Sequence, residues 1–124
     1  MRERDQVSQN PLYNECHDNM LMQCFRTVEA ASIRDVAENF LTSFHTLRDT
    51  YLEELEGTTE PNCRMIADCL KDMTPGSLAE RARAKIREMK AKQEQPEIIR
   101  QWDMLAIIAK ASMTVASGVY VNAN

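Results

Sequence analysis

Glycine, proline and histidine are scarce in this chain of 124 residues, which contains three glycines, four prolines and two histidines. An all-β protein needs glycine- and proline-rich turns at short intervals, so this composition argues against one. No run of eighteen apolar residues occurs, and we therefore expect no transmembrane helix. The first ten residues have no apolar segment after their charged residues, so we also expect no signal peptide. These absences predict a cytoplasmic protein without membrane association.

The sequence also lacks the motifs of common enzyme and cofactor sites. Phosphate-binding loops need clustered glycines, and neither GxGxxG nor GxxxxGK[ST] occurs. The HExxH zinc motif, the GxSxG nucleophile motif and the paired Glu-x-x-His motif of di-iron bundles are missing as well. We therefore expect no cofactor, no metal ion and no catalytic activity.

The two histidines do not form an obvious reactive site with their sequence neighbours. His17 follows Cys16 directly, but adjacent residues on a helix point about 100° apart, so the two cannot act as nucleophile and base without help from a distant partner. His45 lies at the margin of an apolar helix face, near Glu38 and Asp49 in the sequence. Such a flank suits a charged imidazole or a metal ligand, but we favour a boundary histidine beside a helical acid.

Four cysteines are present, and their spacing fits no common pattern. Cys16 and Cys24 would lie roughly 12 Å apart along one helix, too far for a disulfide. Cys63 and Cys69 would lie on different sides of a helix, and CxxC does not occur. We expect four reduced, buried thiols that act as small hydrophobic side chains. A disulfide between helices and a metal site remain open as alternatives.

Helical periodicity and helix-start signals are what the sequence does contain. Helices are predicted from Asn10–Pro11 to about Ala30, from Ile33 to Leu55, from Pro61 to Met73, from a Ser77–Glu80 capping box to about residue 93, and over 97–117. Whether the segment 30–33 breaks a helix or continues one is left open. We predict an all-α fold, a compact bundle of four to five antiparallel helices with short loops and no sheet. The chain is interpreted as a single helical domain, with residues 1–9 as a loose arm and 119–124 as a short tail.

The segment 97–117 is apolar on two sides, which predicts neighbours on two sides. One face, which we expect to fill the core, carries Ile98, Trp102, Leu105, Ala109 and Met113. We expect the second face to be covered by another protein or by a second copy of the chain; it carries Met104, Ile107, Ile108, Ala111 and Val115. The helix over 78–93 has a narrow apolar stripe, and we therefore expect it to cover that second face poorly.

Charge is distributed unevenly. Residues 11–57 contain nine acidic and three basic side chains, whereas residues 77–95 contain six basic and three acidic ones. The basic helix suggests a docking surface for an acidic protein at Arg83, Arg87 and Lys90, although a solvated face leaning on the acidic helices is the simpler interpretation. Nucleic acid is an unlikely partner, because the helix has no aromatic residue for stacking and the chain has a net charge of −4.

The sequence is therefore interpreted as a non-enzymatic helical protein that acts through helix faces on other proteins, as a regulator, antagonist, adaptor or chaperone. Its partner would be another protein, including a second copy that forms a homodimer. Two alternatives stay open. One is a nucleic-acid-associated protein that uses the basic helix 78–93, and the other is a helical bundle that binds an apolar ligand between methionine-rich helices.

Overall fold

The computed structural model describes residues 11–26 and 32–116, and every regular element within these two ranges is an α-helix. The helices are α1 (Pro11–Arg26), α2 (Ile33–Leu55), α3 (Pro61–Asp72), α4 (Pro75–Ala91) and α5 (Pro96–Ala116). The predicted all-α bundle is thus confirmed. The predicted arm 1–9, the tail 119–124 and the extension of the first helix to Ala30 lie outside the described residues.

Helix α2 begins at an N-cap, and this answers the question left open at residues 30–33. Ser32 has an extended backbone (φ −140°, ψ 161°), and its side chain accepts a hydrogen bond from the Asp35 amide. A serine in this conformation satisfies one of the free amides of the first turn. A new helix therefore starts at Ile33 and does not continue from an earlier one through Ser32.

The start of α4 differs from the prediction by three residues. Thr74 is the N-cap, and the Thr74 and Ser77 side chains each accept the other's backbone amide at 3.0 Å. The predicted Ser77–Glu80 capping box is therefore wrong. Pro75 occupies the first helical position, where its missing N–H is not needed. Gly76 consequently lies inside the first turn of α4.

Helices α4 and α5 form an antiparallel hairpin. The C-terminal end of α4 is a Schellman motif. In this motif the Gln93 amide donates to Lys90 O at 3.1 Å, and the Glu94 amide donates to Met89 O at 2.9 Å. Gln93 adopts the left-handed conformation (φ 57°) that glycine usually supplies. Met113, near the end of α5, packs against Gly76 at the start of α4, which fixes the antiparallel direction.

The core is one cluster to which all five helices in the described ranges contribute. Helix α5 packs against both α4 and α2, so the predicted two neighbours are present. Its most extensive contact is with α4, although Met104 and Ile107 of the second predicted face remain exposed. The buried face of α4 is wider than the narrow row of apolar residues expected, because Ala79 and Arg81 are buried together with Leu78, Ala82, Ile86 and Met89. None of these five helices is long and apolar enough to cross a bilayer.

The two faces of α5 also differ from the prediction. Trp102, Leu105 and Ala109 are buried as expected, but Ile98 and Met113 are 37% and 45% exposed. Ile108, which was assigned to the uncovered face, is only 2% exposed. The buried arc is wide because α2 and α4 both pack against α5, and it includes the position of Ile108. The prediction that Ile108 belongs to an open surface is therefore wrong.

Candidate functional site

Three successive residues of α1 point into three different surroundings, because each step along an α-helix rotates a side chain by about 100°. Cys16 lines a pocket formed with α2 and α3. His17 is buried and contacts both Cys69 of α3 and Ser77 of α4. Asp18 pairs with a buried arginine of α4. This turn of α1 is where the polar and reactive groups of the bundle converge.

His17 connects three helices through contacts of its ring nitrogens. Its Nδ1–H donates to the Tyr13 carbonyl at 2.8 Å, and Nε2 lies 3.2 Å from Ser77 Oγ. Burial lowers the pKa of His17, and nearby Arg81 lowers it further, whereas the Tyr13 carbonyl and Asp18 act in the opposite direction. The ring is thus held by hydrogen bonds at both nitrogens, which suits a structural connection between α1 and the start of α4.

Cys69 of α3 lies against the same turn of α1. Its side chain is buried, with Sγ at 3.6 Å from His17 Nδ1 and at 4.0 Å from the Tyr13 carbonyl. A hydrogen bond from the Cys69 thiol lowers the pKa of Cys16, against the opposing effects of burial and Glu15. The same contact, together with burial, raises the pKa of Cys69. Cys16 is therefore the thiol of this pair that ionises first.

The other two cysteines have different surroundings. Burial raises the pKa of Cys24 to about 12, and the Glu60 side chain that caps α3 raises the pKa of Cys63. The prediction of four buried thiols is confirmed for Cys24 and Cys69 but wrong for Cys16 and Cys63, which are half-exposed. Cys16 alone among the four combines a lowered pKa with access from outside.

Cys16 is reached through a pocket of about 260 Å³ between α1, α2 and α3. Its apolar wall consists of Leu12, Cys16, Met20, Leu55, Ile66 and Leu70, and its polar residues are Glu15, Asn19, Gln23, Tyr51 and Glu54. The Tyr51 hydroxyl donates to Gln23 Oε1 and joins α2 to α1 beside the pocket. Ligand sites in proteins are similarly apolar with a few polar groups, although this volume suits only a small molecule.

On the opposite side of α1, charged groups fill the contact with α4. Arg81 is only 8% exposed in its side chain and binds both oxygens of Asp18, at 2.8 and 3.1 Å. It also donates to Glu88 at 3.0 Å. Burial opposes its charge, but these two carboxylates raise the pKa of Arg81. Lys85 adds a contact of 3.5 Å to Asp18 and lies 5.3 Å from the centre of the Trp102 ring.

This network changes the interpretation of the basic helix. Arg81 and Lys85 bind Asp18 inside the bundle and are not part of an open basic surface. The three basic residues proposed as a docking surface, Arg83, Arg87 and Lys90, are all exposed. Their spacing of four and three residues places them along one side of α4, and we call this set the basic stripe.

The predicted partner face of α5 is partly in place. Met104 and Ile107 are 47% and 49% exposed, and Ala111 and Val115 are half-buried. Spacings of three, four and four residues align these side chains on one face, which we call the apolar stripe. Ile108 is excluded from it by its burial. The apolar stripe and the basic stripe remain predictions as binding surfaces.

His45 is exposed, and its ring contacts Phe44 edge-on with 5.3 Å between ring centres. Glu38, one of the acids considered beside it, pairs instead with Arg34 at 3.2 Å. In the part of the chain that the structure describes, no three or more His, Cys, Asp or Glu side chains are grouped so as to hold a metal ion.

Comparisons with known proteins give this arrangement no precedent. No protein-family model, no curated protein and no solved structure matches the chain. What the protein does must therefore be inferred from its own residues and their geometry.

Proposed function

We propose that this chain is a non-enzymatic helical interaction protein that pairs with a second copy of itself through the apolar stripe of α5. The observation that carries the proposal is the exposure of Met104 and Ile107, about half of each side chain, on one face of a central helix. Single exposed apolar residues are ordinary on protein surfaces. A continuous stripe of them is typical of a surface that another protein covers.

The charges beside the stripe favour a second copy as the occupant. Asp103 and Lys110 are exposed and seven residues apart, which places them on the same flank of the stripe. In an antiparallel two-fold pair, residues at equal distances on either side of the axis face each other. An axis between Ala106 and Ile107 therefore sets Asp103 of each copy against Lys110 of the other. These complementary contacts fix the register of two apolar stripes.

The test is the mass of the protein in solution at tens of micromolar. Light scattering should give twice the chain mass of 14.2 kDa. Ile107→Asp should produce a monomer that keeps its helix content, because this side chain is not in the core. Met22→Asp is the matched control, since Met22 is 43% exposed on α1, away from the stripe. A wild-type monomer, or equal dissociation by Met22→Asp, would contradict the proposal.

Charge exchange tests the antiparallel register separately. Asp103→Lys should weaken the dimer, because it sets two lysines against each other. Combining it with Lys110→Asp should restore the dimer, since the pair is then reversed and not lost. Ile108→Asp should unfold the chain because Ile108 is buried. A double variant that remains as weak as the single one would rule out this register.

The basic stripe supports a second contact, with an acidic surface of a different protein, as a regulator or adaptor would make. Arg83→Glu should then abolish binding of that partner without dissociating the dimer. The nucleic-acid alternative is weakened because two of the basic side chains of α4, Arg81 and Lys85, are bound to Asp18. We expect no gel shift with DNA or RNA at physiological salt, and a shift that falls steeply with salt would restore that alternative.

An apolar ligand is the alternative that the pocket favours. Its apolar wall and volume of about 260 Å³ fit a small hydrophobic molecule. NMR titration with benzene is a direct probe of this site. Shifts confined to Leu70, Ile66 and Met20 would support ligand binding there, and shifts absent at saturating benzene would exclude it for molecules of that size.

A further inference from the structure

The contact between Cys16 and Cys69 brings two thiols of different helices together. Cys69 Sγ lies at 4.0 Å from the Tyr13 carbonyl and at 3.6 Å from His17 Nδ1. Tyr13 precedes Cys16 by three residues and His17 follows it, so the Cys69 sulfur is located at the turn of α1 that carries Cys16. Cys16 shares the pocket wall with Leu70, the residue that follows Cys69, so the two thiols are neighbours where α1 contacts α3.

The two thiols are not equally accessible. Cys16 is half-exposed and forms part of the pocket wall, whereas Cys69 is 2% exposed. A small reactant that enters the pocket therefore meets Cys16, whereas Cys69 does not line the pocket. The thiolate is the reactive form of cysteine, and contact with Cys69 lowers the pKa of Cys16.

We propose that Cys16 is an oxidation site for small hydroperoxides and that Cys69 is its resolving thiol, so that oxidation links α1 to α3 by a disulfide. The proposal is independent of self-pairing through α5. It concerns a modification of the protein by a peroxide and not a turnover reaction.

The chemistry balances with hydrogen peroxide as the oxidant. The Cys16 thiolate attacks one peroxide oxygen, the O–O bond breaks, and a sulfenic acid forms on Cys16 while hydroxide leaves. The Cys69 sulfur then attacks the Cys16 sulfur and displaces the second hydroxide. The protons of the two thiols convert both hydroxides to water. Two electrons pass from the two sulfurs to the peroxide, and the products are one disulfide and two water molecules.

Closure requires the two sulfurs to approach from thiol contact to about 2.05 Å. The link would join residues 53 positions apart in the sequence, and a long loop closed in this way restricts the unfolded chain. We therefore expect the oxidised protein to have a higher thermal midpoint than the reduced protein. The pocket would also lose its free thiol.

Peptide mapping of the peroxide-treated wild type is the primary experiment. Trypsin separates the relevant thiols, because Cys16 and Cys24 fall in the peptide 5–26, Cys63 in 49–64 and Cys69 in 65–71. With stoichiometric hydrogen peroxide we expect an intact mass lower by two hydrogens and a link between peptides 5–26 and 65–71. Excess peroxide that yields no such link, or a link from 49–64 in its place, would overturn the proposal.

Variants distinguish the two roles. Cys16→Ser should abolish the link, which excludes Cys24 as its source, whereas Cys63→Ser is a half-exposed control that should leave the link unchanged. Cys69→Ser should stop the reaction at the sulfenic acid, which dimedone traps on peptide 5–26. A link that persists in Cys16→Ser would refute the assignment.

Native labelling of the unmodified wild type covers the case in which a variant fails to fold. N-ethylmaleimide should modify Cys16 at least ten times faster than Cys69 or Cys24, because both of these are buried. Equal rates for Cys16 and Cys69 would contradict the proposed order of attack.

Discussion

On the side of α1 that faces α4, charged groups fill the interface, whereas on the side that faces α2 and α3 an apolar pocket stays open. The first side is closed by Arg81, which binds both oxygens of Asp18 and one of Glu88. On the second side, the short side chains of Cys16 and Asn19 line a pocket of about 260 Å³. The two interfaces are separated by only one or two residues of the same helix.

The difference follows from what each kind of side chain requires. A buried charge is tolerated only when its hydrogen-bonding groups are satisfied, so helices that share one must approach closely and with fixed geometry. Apolar side chains impose no direction, and short ones leave a gap when neighbouring helices are held apart by larger residues. A reactive group on the charged side would be sealed off. On the pocket side the Cys16 thiol is open to reactants.

Removing Arg81 is the most damaging change we expect at this helix. Arg81→Ala leaves Asp18 with only Lys85 and leaves Glu88 without its buried partner, so unfolding should become easier by about 3 kcal/mol. Urea denaturation followed by circular dichroism measures this loss. Arg34→Ala is the control, because the Arg34–Glu38 pair is exposed and should be worth about 0.3–0.5 kcal/mol. Similar losses in both variants would show that the charged side is no more constrained than the surface.

A change at His17, which contacts both α3 and α4, should have the next largest effect. Its pKa is lowered from 6.5 by burial, so the unfolded chain binds a proton more readily than the folded one. Stability should therefore rise with pH between the lowered pKa and 6.5, and fall as pH drops below 6.5. His17→Gln should cost about 1 kcal/mol at neutral pH and remove this part of the pH dependence.

The comparison for His17 is His45→Gln, which removes an exposed imidazole. Thermal unfolding between pH 5 and 8 measures both variants. The groups that face the His17 ring are the Tyr13 carbonyl, Cys69, Ser77, Asp18 and Arg81. If the wild type and His17→Gln lose stability equally on acidification, His17 is not the source of the pH dependence.

Filling the pocket should have the smallest effect and the opposite sign. Asn19→Leu extends an apolar side chain over the pocket and should stabilise the protein by about 0.5–1 kcal/mol. It should also slow alkylation of Cys16, since the new side chain restricts the way in. Asn39→Leu, at an exposed position of α2 that does not line the pocket, should do neither. Stabilisation without slower alkylation would show that Cys16 is reached by another route.

The helices themselves follow from the sequence because their signals are local. The predicted starts at Ile33 and Pro61 are confirmed, and Gly57, at φ 81°, follows the end of α2. Thr74 was missed because Ser77 matches the same capping pattern three residues later. The capping pattern alone does not distinguish Thr74 from Ser77 as the N-cap. Pro75 favours Thr74, because proline is common at the first position of a helix.

The candidate site is less predictable because its contacts join different helices. Spacing within one helix excludes a Cys16–Cys24 disulfide, but it says nothing about Cys69, which approaches Cys16 only because α3 packs on α1. Arg81 is next in sequence to Ala82, one of the apolar residues of α4 that are buried, and this position indicates that Arg81 is buried as well. Its partner Asp18 is 63 residues away, and no sequence pattern links the two residues. Likewise, the burial of Ile108 can be inferred only when it is known that α2 and α4 both pack against α5.

The short connection between α4 and α5 has a consequence for the order in which the chain folds. The most extensive helix contact in the described ranges joins two helices separated only by Lys92–Gln95, and such local contacts cost little loop-closure entropy. We therefore expect this hairpin to be formed already at the folding transition state. In stopped-flow experiments Leu105→Ala should mainly slow folding, with a φ value above about 0.5. Leu70→Ala on α3 should mainly accelerate unfolding, because α3 would join a hairpin that already exists.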